Sequence, residues 1–121
     1  MRTDAVRIEV TPVARLFHAL ADEERVRIIA LLAHGELCVC HIEEALAQSQ
    51  PSVSRHLAML RAAGVVESRR DGNWVYYRIA AQADPDCRRQ LRALVSAFAG
   101  SATLRKEVAR LRKLKGPGAC R

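Results

Sequence analysis

Two short amphipathic stretches joined by Gln48-Ser49-Gln50-Pro51 constrain this chain more than any other feature. The first predicts a helix over about Val39 to Ala47, with Ile42 and Leu46 as its buried pair. The second predicts a helix starting at Pro51, where a missing N–H costs nothing, and stopping at Gly64. In that helix Val53, Leu57 and Leu60 fall at i, i+4 and i+7, so they must face inward. Ser52 and Arg55 then point outward, and Ser54 lies on the flank. Two helices joined by a short polar turn, the second opening with small polar and basic side chains, form a helix-turn-helix pattern. Serine can hydrogen-bond base edges or phosphates, and arginine is the strongest guanine reader. Gln50, Ser52, Ser54 and Arg55 are the candidate DNA contacts at this helix start. His56 joins them at the edge. It leans back toward the core, which suits a phosphate contact or a core hydrogen bond better than base readout.

The segment after Gly64 fits a wing. Val65 to Arg70 and Trp74 to Ile79 read as two strands, with Asp71-Gly72-Asn73 as the hairpin turn. Alternation sends Val75, Tyr77 and Ile79 to one face and Trp74, Tyr76 and Arg78 to the other. Arg69, Arg70 and Asn73 at the tip are candidate phosphate contacts; an ordinary charged hairpin is the alternative.

The flanks are helical. Thr11 as N-cap and Pro12 at the first position predict a helix with Val13, Leu16, Phe17 and Leu20 on one stripe. Asp22 caps a second helix whose first turn carries Glu23 and Glu24, favourable near the positive end of the dipole. Its residues Val26, Ile28, Ile29, Leu31 and Leu32 are apolar on a broad face, which predicts a central position, and Gly35 ends it. Asp84-Pro85 opens a long helix carrying Leu91, Leu94, Val95 and Phe98. Gly100-Ser101 is a kink or break, beyond which Leu104, Val108, Leu111 and Leu114 extend a stripe. The expected organisation is one domain over residues 1–115 and a flexible C-terminal tail over 116–121. The stripes over Thr11–Leu20 and Asp86–Leu114 exceed what a chain of 121 residues readily covers alone, which predicts a homodimer through the N- and C-terminal helices. The fold class expected is mainly α with a small β-hairpin, a winged helix-turn-helix.

Charge adds a limit. The net charge is +7, yet from Cys87 onward ten Lys or Arg face one acid, whereas residues 1–86 hold ten basic and twelve acidic groups. High basicity is therefore weak evidence for where nucleic acid binds. Locally, Arg55, Arg61, Arg69, Arg70 and Arg78 face only Glu67 and Asp71. No apolar run approaches the roughly 18 residues of a membrane span. Arg2, Asp4, Arg7 and Glu9 are not the pattern of a signal peptide. A cytoplasmic protein without a membrane partner is expected, in a compartment where close-spaced cysteines suit metal or redox work.

Cys38-Val39-Cys40-His41 is the chemically distinctive stretch. Thiolates prefer soft, thiophilic ions. Residues two apart on a regular helix point about 200° from each other, so both thiols grip one ion only if the helix start is distorted. Binding should then deform the first turn of the helix that supports the reading helix. Glu36, Glu43 and Glu44 oppose thiolate formation, whereas a helix N-terminus favours it. The bland alternative is two small packed residues. His34, Cys38, Cys40 and His41 offer a set that tetrahedral zinc accepts, although the spacing is not that of a zinc finger and solvent-facing or supporting histidines are the simpler reading. No Cys-x-x-Cys beside a βαβ unit and no nucleophile–base–orienter set is visible, so an enzyme is not expected.

Glu36-Leu37-Cys38-Val39-Cys40, the run from Gln50 to Leu57 and the strand Trp74–Ile79 together resemble the ArsR/SmtB family of metalloregulatory repressors, over roughly residues 12–98. The resemblance implies a homodimeric winged-helix repressor that binds double-stranded operator DNA at an inverted repeat and leaves it when metal binds. It implies As(III) or Sb(III) as effector at Cys38 and Cys40, with no metal needed for folding. A Cd(II)- or Pb(II)-responsive repressor and a cysteine redox switch are the alternatives, and a metal-blind DNA-binding protein a further one. Arsenic-sensing relatives often carry a third cysteine where this chain has Glu43. Cys120 is the candidate third ligand, with Cys87 or no third thiol as alternatives. The family's usual residue at His41 is acidic. The family's other metal site, on the last helix, is missing, since Arg88 to Leu114 contains no histidine and one acid.

Overall fold

The structure is a computed structural model that describes residues 10–114. Its elements are α1 (Val10–Ala19), α2 (Glu23–Leu32), β1 (Leu37–Cys38), α3 (Val39–Leu46), α4 (Gln50–Ala62), β2 (Val66–Asp71), β3 (Trp74–Ile79), α5 (Pro85–Ala99) and α6 (Ala102–Leu114). Helix α2 is the hub. Ile28, Ile29, Ala30, Leu31 and Leu32 are all buried, so its second half has no solvent face and needs cover on every side. That cover comes from α3, α4, α5, α6 and β3. Asp22 starts the helix as predicted, accepting from the Glu24 N–H at 2.9 Å and the Arg25 N–H at 3.2 Å.

The helix-turn-helix forms as the sequence requires. Ala47 takes a left-handed conformation (φ 52°) to end α3. Ser49 then caps α4, its side chain accepting from the Ser52 N–H at 3.3 Å. The helix thus begins at Gln50, one residue before the predicted start, because the Ser49 hydroxyl supplies the cap and Pro51 fits within the first turn. Val53, Leu57 and Leu60 are buried beneath it.

The sheet holds three antiparallel strands in the order β1-β3-β2. The hairpin is the expected one; β1 is an addition, because two residues give no alternation to read. The turn is a two-residue loop, with Asp71 opposite Trp74 and Gly72 at φ 64°, a conformation that favours glycine.

One expectation about the ends fails. Helix α1 includes Thr11 and Pro12 rather than being capped by Thr11, and it buries Leu16 and Ala19 while Phe17 stays 51% exposed. At the expected Gly100-Ser101 the chain breaks rather than kinks, α5 ending at Ala99. Ser101 starts α6 by accepting from the Leu104 N–H at 3.1 Å, and α6 folds back onto α2, α3 and α5. Val108 and Leu111 are buried there, at 2% and 0% exposure. Part of the stripe expected to face a partner subunit is thus buried inside one chain, while Leu94, Val95 and Phe98 of α5 stay half-buried. Cys120 and the tail over 116–121 lie outside the described residues. Among the described residues no helix is long and apolar enough to cross a membrane.

Candidate functional site

The two sulfurs meet at a junction between strand and helix. In β1, Leu37 lies opposite Tyr77 and Cys38 opposite Tyr76. Successive strand residues face opposite ways: Leu37 enters the main core, whereas Cys38 packs in a separate small cluster with Tyr76, Trp74 and Cys40. Cys38 is also the N-cap of α3, with extended backbone (φ −71°, ψ 151°). The helical phase that would separate two residues does not apply across this junction, and the sulfurs of Cys38 and Cys40 lie 3.4 Å apart. The expected distortion of the first turn is therefore unnecessary. Cys38 is a free, almost fully buried thiol, whereas Cys40 is disulfide-bonded and half-buried.

His41 is not solvent-facing. It is buried, and its Nδ1 accepts from the Cys38 N–H at 3.0 Å. It does for α3 what Glu or Gln does in a capping box, and that bond fixes Nδ1 as an acceptor. His34 lies elsewhere, its Nε2 3.0 Å from the Phe98 carbonyl oxygen on α5. The four-residue zinc set is thus dispersed, and among the described residues no group of three or more His, Cys, Asp or Glu is placed to hold a metal ion. Cys87 is buried in the main core, away from the Cys38 cluster.

The thiols are tied to the wing. Arg69 on β2 grips Glu36 with two bonds, Nε to Oε2 at 2.8 Å and a terminal nitrogen to Oε1 at 2.7 Å, while its guanidinium sits 4.4 Å above the Tyr76 ring. The Arg69 hydrogen bond holds the Glu36 carboxyl below its ordinary range. Burial pushes the Tyr76 hydroxyl up, and the nearby Cys38 adds to it. From the other side Arg112 on α6 donates to the Glu36 carbonyl at 2.9 Å. It passes so close to Gly35, itself at φ 117°, that a Cβ there would meet the guanidinium at 2.9 Å. The sequence alone suggests phosphate for Arg69 and, for Glu36, only opposition to thiolate formation. Their pairing across 33 residues has no local signal.

On the candidate DNA face, Gln50, Ser54, Arg55, Arg70 and Asn73 are exposed and Ser52 is half-buried. Gln50 donates to the Ser54 hydroxyl at 3.3 Å. His56 is turned inward: its Nδ1 lies 3.4 Å from Arg25 and 3.8 Å from the Asp22 carboxylate. Of its two expected roles, the structure favours the internal bond, which ties α4 to the start of α2.

Between α3, α4 and β3 lies an open cleft of about 770 Å³, with Cys38 and Cys40 on one wall and Gln50, Ser54, Asn73 and Trp74 on others. The sulfur pair thus shares one space with groups from the reading helix and the wing. Residues 22–68 match the family described as bacterial regulatory protein, arsR family. A possible ArsR-family transcriptional regulator from Mycobacterium bovis, solved as a homodimeric winged helix-turn-helix domain, is 40% identical with a TM-score of 0.60, over 74% of this chain and 80% of that one. The chain belongs to the ArsR family. It has the family's winged helix-turn-helix fold, that of transcriptional regulators rather than enzymes. Reduced HlyU from Vibrio cholerae is a further neighbour, at 28% identity and a TM-score of 0.63 over 74% of this chain and 90% of that one. Among curated relatives, the arsenic resistance transcriptional regulator ArsR1 of Pseudomonas putida is 55% identical over 53% of this chain and 51% of its own length. The arsenical resistance operon repressor of Escherichia coli is 54% identical over 54% of this chain and 57% of its own. This ArsR-family chain therefore spans a little over half the length of those two relatives.

Proposed function

We propose that this chain is a transcriptional repressor released from operator DNA when As(III) or Sb(III) binds Cys38 and Cys40. The observation that carries the reading is the shared cleft: the sulfur pair opens onto the same space as Gln50 and Ser54 of α4 and Asn73 of the wing. With metal–thiolate bonds of about 2.3 Å, sulfurs 3.4 Å apart subtend about 95° at a shared ion. That is narrower than a tetrahedral site requires and suits the pyramidal bonding of a trivalent metalloid, which favours arsenic or antimony over cadmium. The arsenic-resistance names of the relatives support the same class of effector.

DNA is held in this reading by Gln50, Ser52, Ser54 and Arg55 at base edges, with Arg69, Arg70 and Asn73 on phosphates. Arg69 must leave Glu36 to do so, and a charge-assisted phosphate contact can replace that bidentate pair. A metalloid bridging the sulfurs acts on β1, which is hydrogen-bonded to β3, and on the first turn of α3. It thereby shifts the wing relative to α4 without unfolding either. A preference for the off-DNA arrangement of order 1–3 kcal/mol suffices for release. Cys120 remains the proposed third ligand. The protein is taken as a cytoplasmic homodimer on an inverted repeat, joined through its N- and C-terminal helices, where Val10 and Phe17 of α1 are exposed and Leu94, Val95 and Phe98 of α5 are half-buried.

The disulfide at Cys40 supports a second reading, release by thiol oxidation. One experiment separates the two. Operator binding is followed by fluorescence anisotropy under a phosphine reductant with arsenite, antimonite, cadmium or lead, and without reductant with peroxide. Arsenite should release the native chain and not Cys38→Ser; normal release of Cys38→Ser refutes the site. Release by peroxide alone selects the redox reading. In the same assay Arg55→Ala should weaken specific binding by about 1–3 kcal/mol. Light scattering at micromolar concentration should give a dimer, and a monomer overturns the two-fold arrangement.

A further inference from the structure

We infer that the outward face of α6 is a second, sequence-independent DNA surface, which holds the phosphate backbone of duplex lying beyond the wing. The inference rests on the DNA-binding reading above and extends it to a part of the chain outside the helix-turn-helix and the wing.

The charge excess that the sequence carries after Cys87 has a definite place. Leu104, Val108 and Leu111 turn one side of α6 into the core. Helical phase then sends Arg105, Lys106, Arg110 and Lys113 to the other side, and all four are exposed. Among the described residues the only ion pair on α6 joins Arg110 to Glu107, at 2.7 Å. Lys106 and Arg110, one turn apart, repel each other, and an anion lying along the face relieves that repulsion.

The stripe runs up to the wing. Arg112, beside Lys113, donates to the Glu36 carbonyl at 2.9 Å, and the carboxylate of the same Glu36 is gripped by Arg69 of β2. Glu36 is thus shared by the end of α6 and the wing, and the two cationic surfaces are continuous. From Lys106 to Lys113 the stripe spans about 10 Å along the helix axis. A duplex carries a phosphate charge roughly every 1.7 Å of its own axis, so several phosphates come within reach. A second copy of the chain fits the face poorly, because a two-fold contact sets like charges against each other. A membrane surface fits it no better. A helix lying in the interface inserts its apolar face, and that of α6 is already spent, with Val108 and Leu111 at 2% and 0% exposure. Contacts to the backbone carry no base information, so this surface adds affinity and salt dependence without adding specificity.

Lys106 and Lys113 are two of the chain's three lysines, so amine acetylation followed by peptide mass analysis reports on this face selectively. The probes are a random-sequence duplex of about 30 base pairs and vesicles of phosphatidylserine and phosphatidylcholine. The duplex should protect both lysines several-fold, and the vesicles should not. Anisotropy titrations of the same duplex are run from about 50 to about 200 mM salt. In them Arg105→Gln/Lys106→Gln/Lys113→Gln should flatten the log–log salt dependence by about 2–3 units, with the urea midpoint unchanged. Arg88→Gln/Arg89→Gln/Arg92→Gln removes as many charges from exposed positions on α5 and should flatten it by less than about one unit. Equal flattening by both triple variants would mean an effect of net charge and overturns the inference. If the native chain binds the duplex while both lysines stay reactive and the slope is unchanged in the α6 variant, the surface is refuted and the DNA reading stands. Protection by vesicles alone would make the partner a lipid surface and refute the inference too. If the native chain fails to bind duplex DNA, the DNA reading itself falls.

Discussion

Cys38 and Cys87 are both nearly sealed from solvent, at 1% and 4% exposure, and both sit at helix starts, yet their surroundings differ completely. Cys38 caps α3, has a second sulfur 3.4 Å away and lines an open cleft. Cys87 is the third residue of α5, where its N–H donates to Asp84 at 2.9 Å, and its side chain is enclosed by the main core. Burial pushes the Cys87 thiol up, and the hydrogen bond and charge of Asp84 add to it. A helix N-terminus alone therefore does not make a thiolate. The two sulfurs differ in what they face: a partner sulfur and a cleft for Cys38, apolar packing and carboxylates for Cys87.

The largest expected effect tests that contrast directly. Cys38→Ser should remove the arsenite response in the anisotropy assay, whereas Cys87→Ala should keep it and cost only about 1 kcal/mol of stability as a small core truncation. Equal loss of response from both would erase the distinction. The next test compares the two helix starts. His41→Leu leaves the buried Cys38 N–H without its acceptor, at a cost of about 1–3 kcal/mol in urea unfolding, and should weaken arsenite binding as the sulfurs separate. His41→Gln keeps an acceptor and should recover part of both. Asp84→Ala removes an ordinary cap at about 1 kcal/mol and should leave arsenite binding alone; a matching loss there would show that arsenite affinity follows general stability.

The smallest effect concerns the clamp on the wing. Glu36 is held below its ordinary value of 4.5, chiefly by the Arg69 hydrogen bond. Because the folded-state value is depressed, the contribution is fully present above the unfolded carboxyl's pKa and is lost as pH falls through the lowered one. The pair is exposed at the surface, so screening by solvent keeps its contribution small. Unfolding measured from pH 6 down to about pH 3 should lose this increment in the native chain and not in Glu36→Gln. At neutral pH Glu36→Gln should also free Arg69 and tighten operator binding slightly; weaker binding would mean that the clamp orders the wing for DNA.

Legibility tracks the range of the interaction. The α4 stripe of Val53, Leu57 and Leu60, the Asp22 and Asp84 caps and the Asp71-Gly72-Asn73 turn are local patterns, and each forms. Strand β1 is illegible because two residues carry no period, and it exists only through pairing with β3. Period alone puts Phe17 on the buried stripe with Val13, Leu16 and Leu20; those three pack against the core and Ala19 joins them, while Phe17 stays exposed. His41 reads as a supporting or solvent group because its acceptor role depends on the extended backbone of Cys38.

By itself the sequence determined the helix-turn-helix, the wing and the presence of two close thiols, since periodicity, caps and turn residues act within a few positions. Only the tertiary structure decided that those thiols converge. Strand pairing between Cys38 and Tyr76 sets the backbone of Cys38 out of helical phase with Cys40, and that pairing is a contact between residues 38 positions apart in the chain. The same pairing joins the sulfur site to the wing, and α6, folding back over α2 and α3, buries Val108 and Leu111, part of the stripe that periodicity alone leaves for a partner.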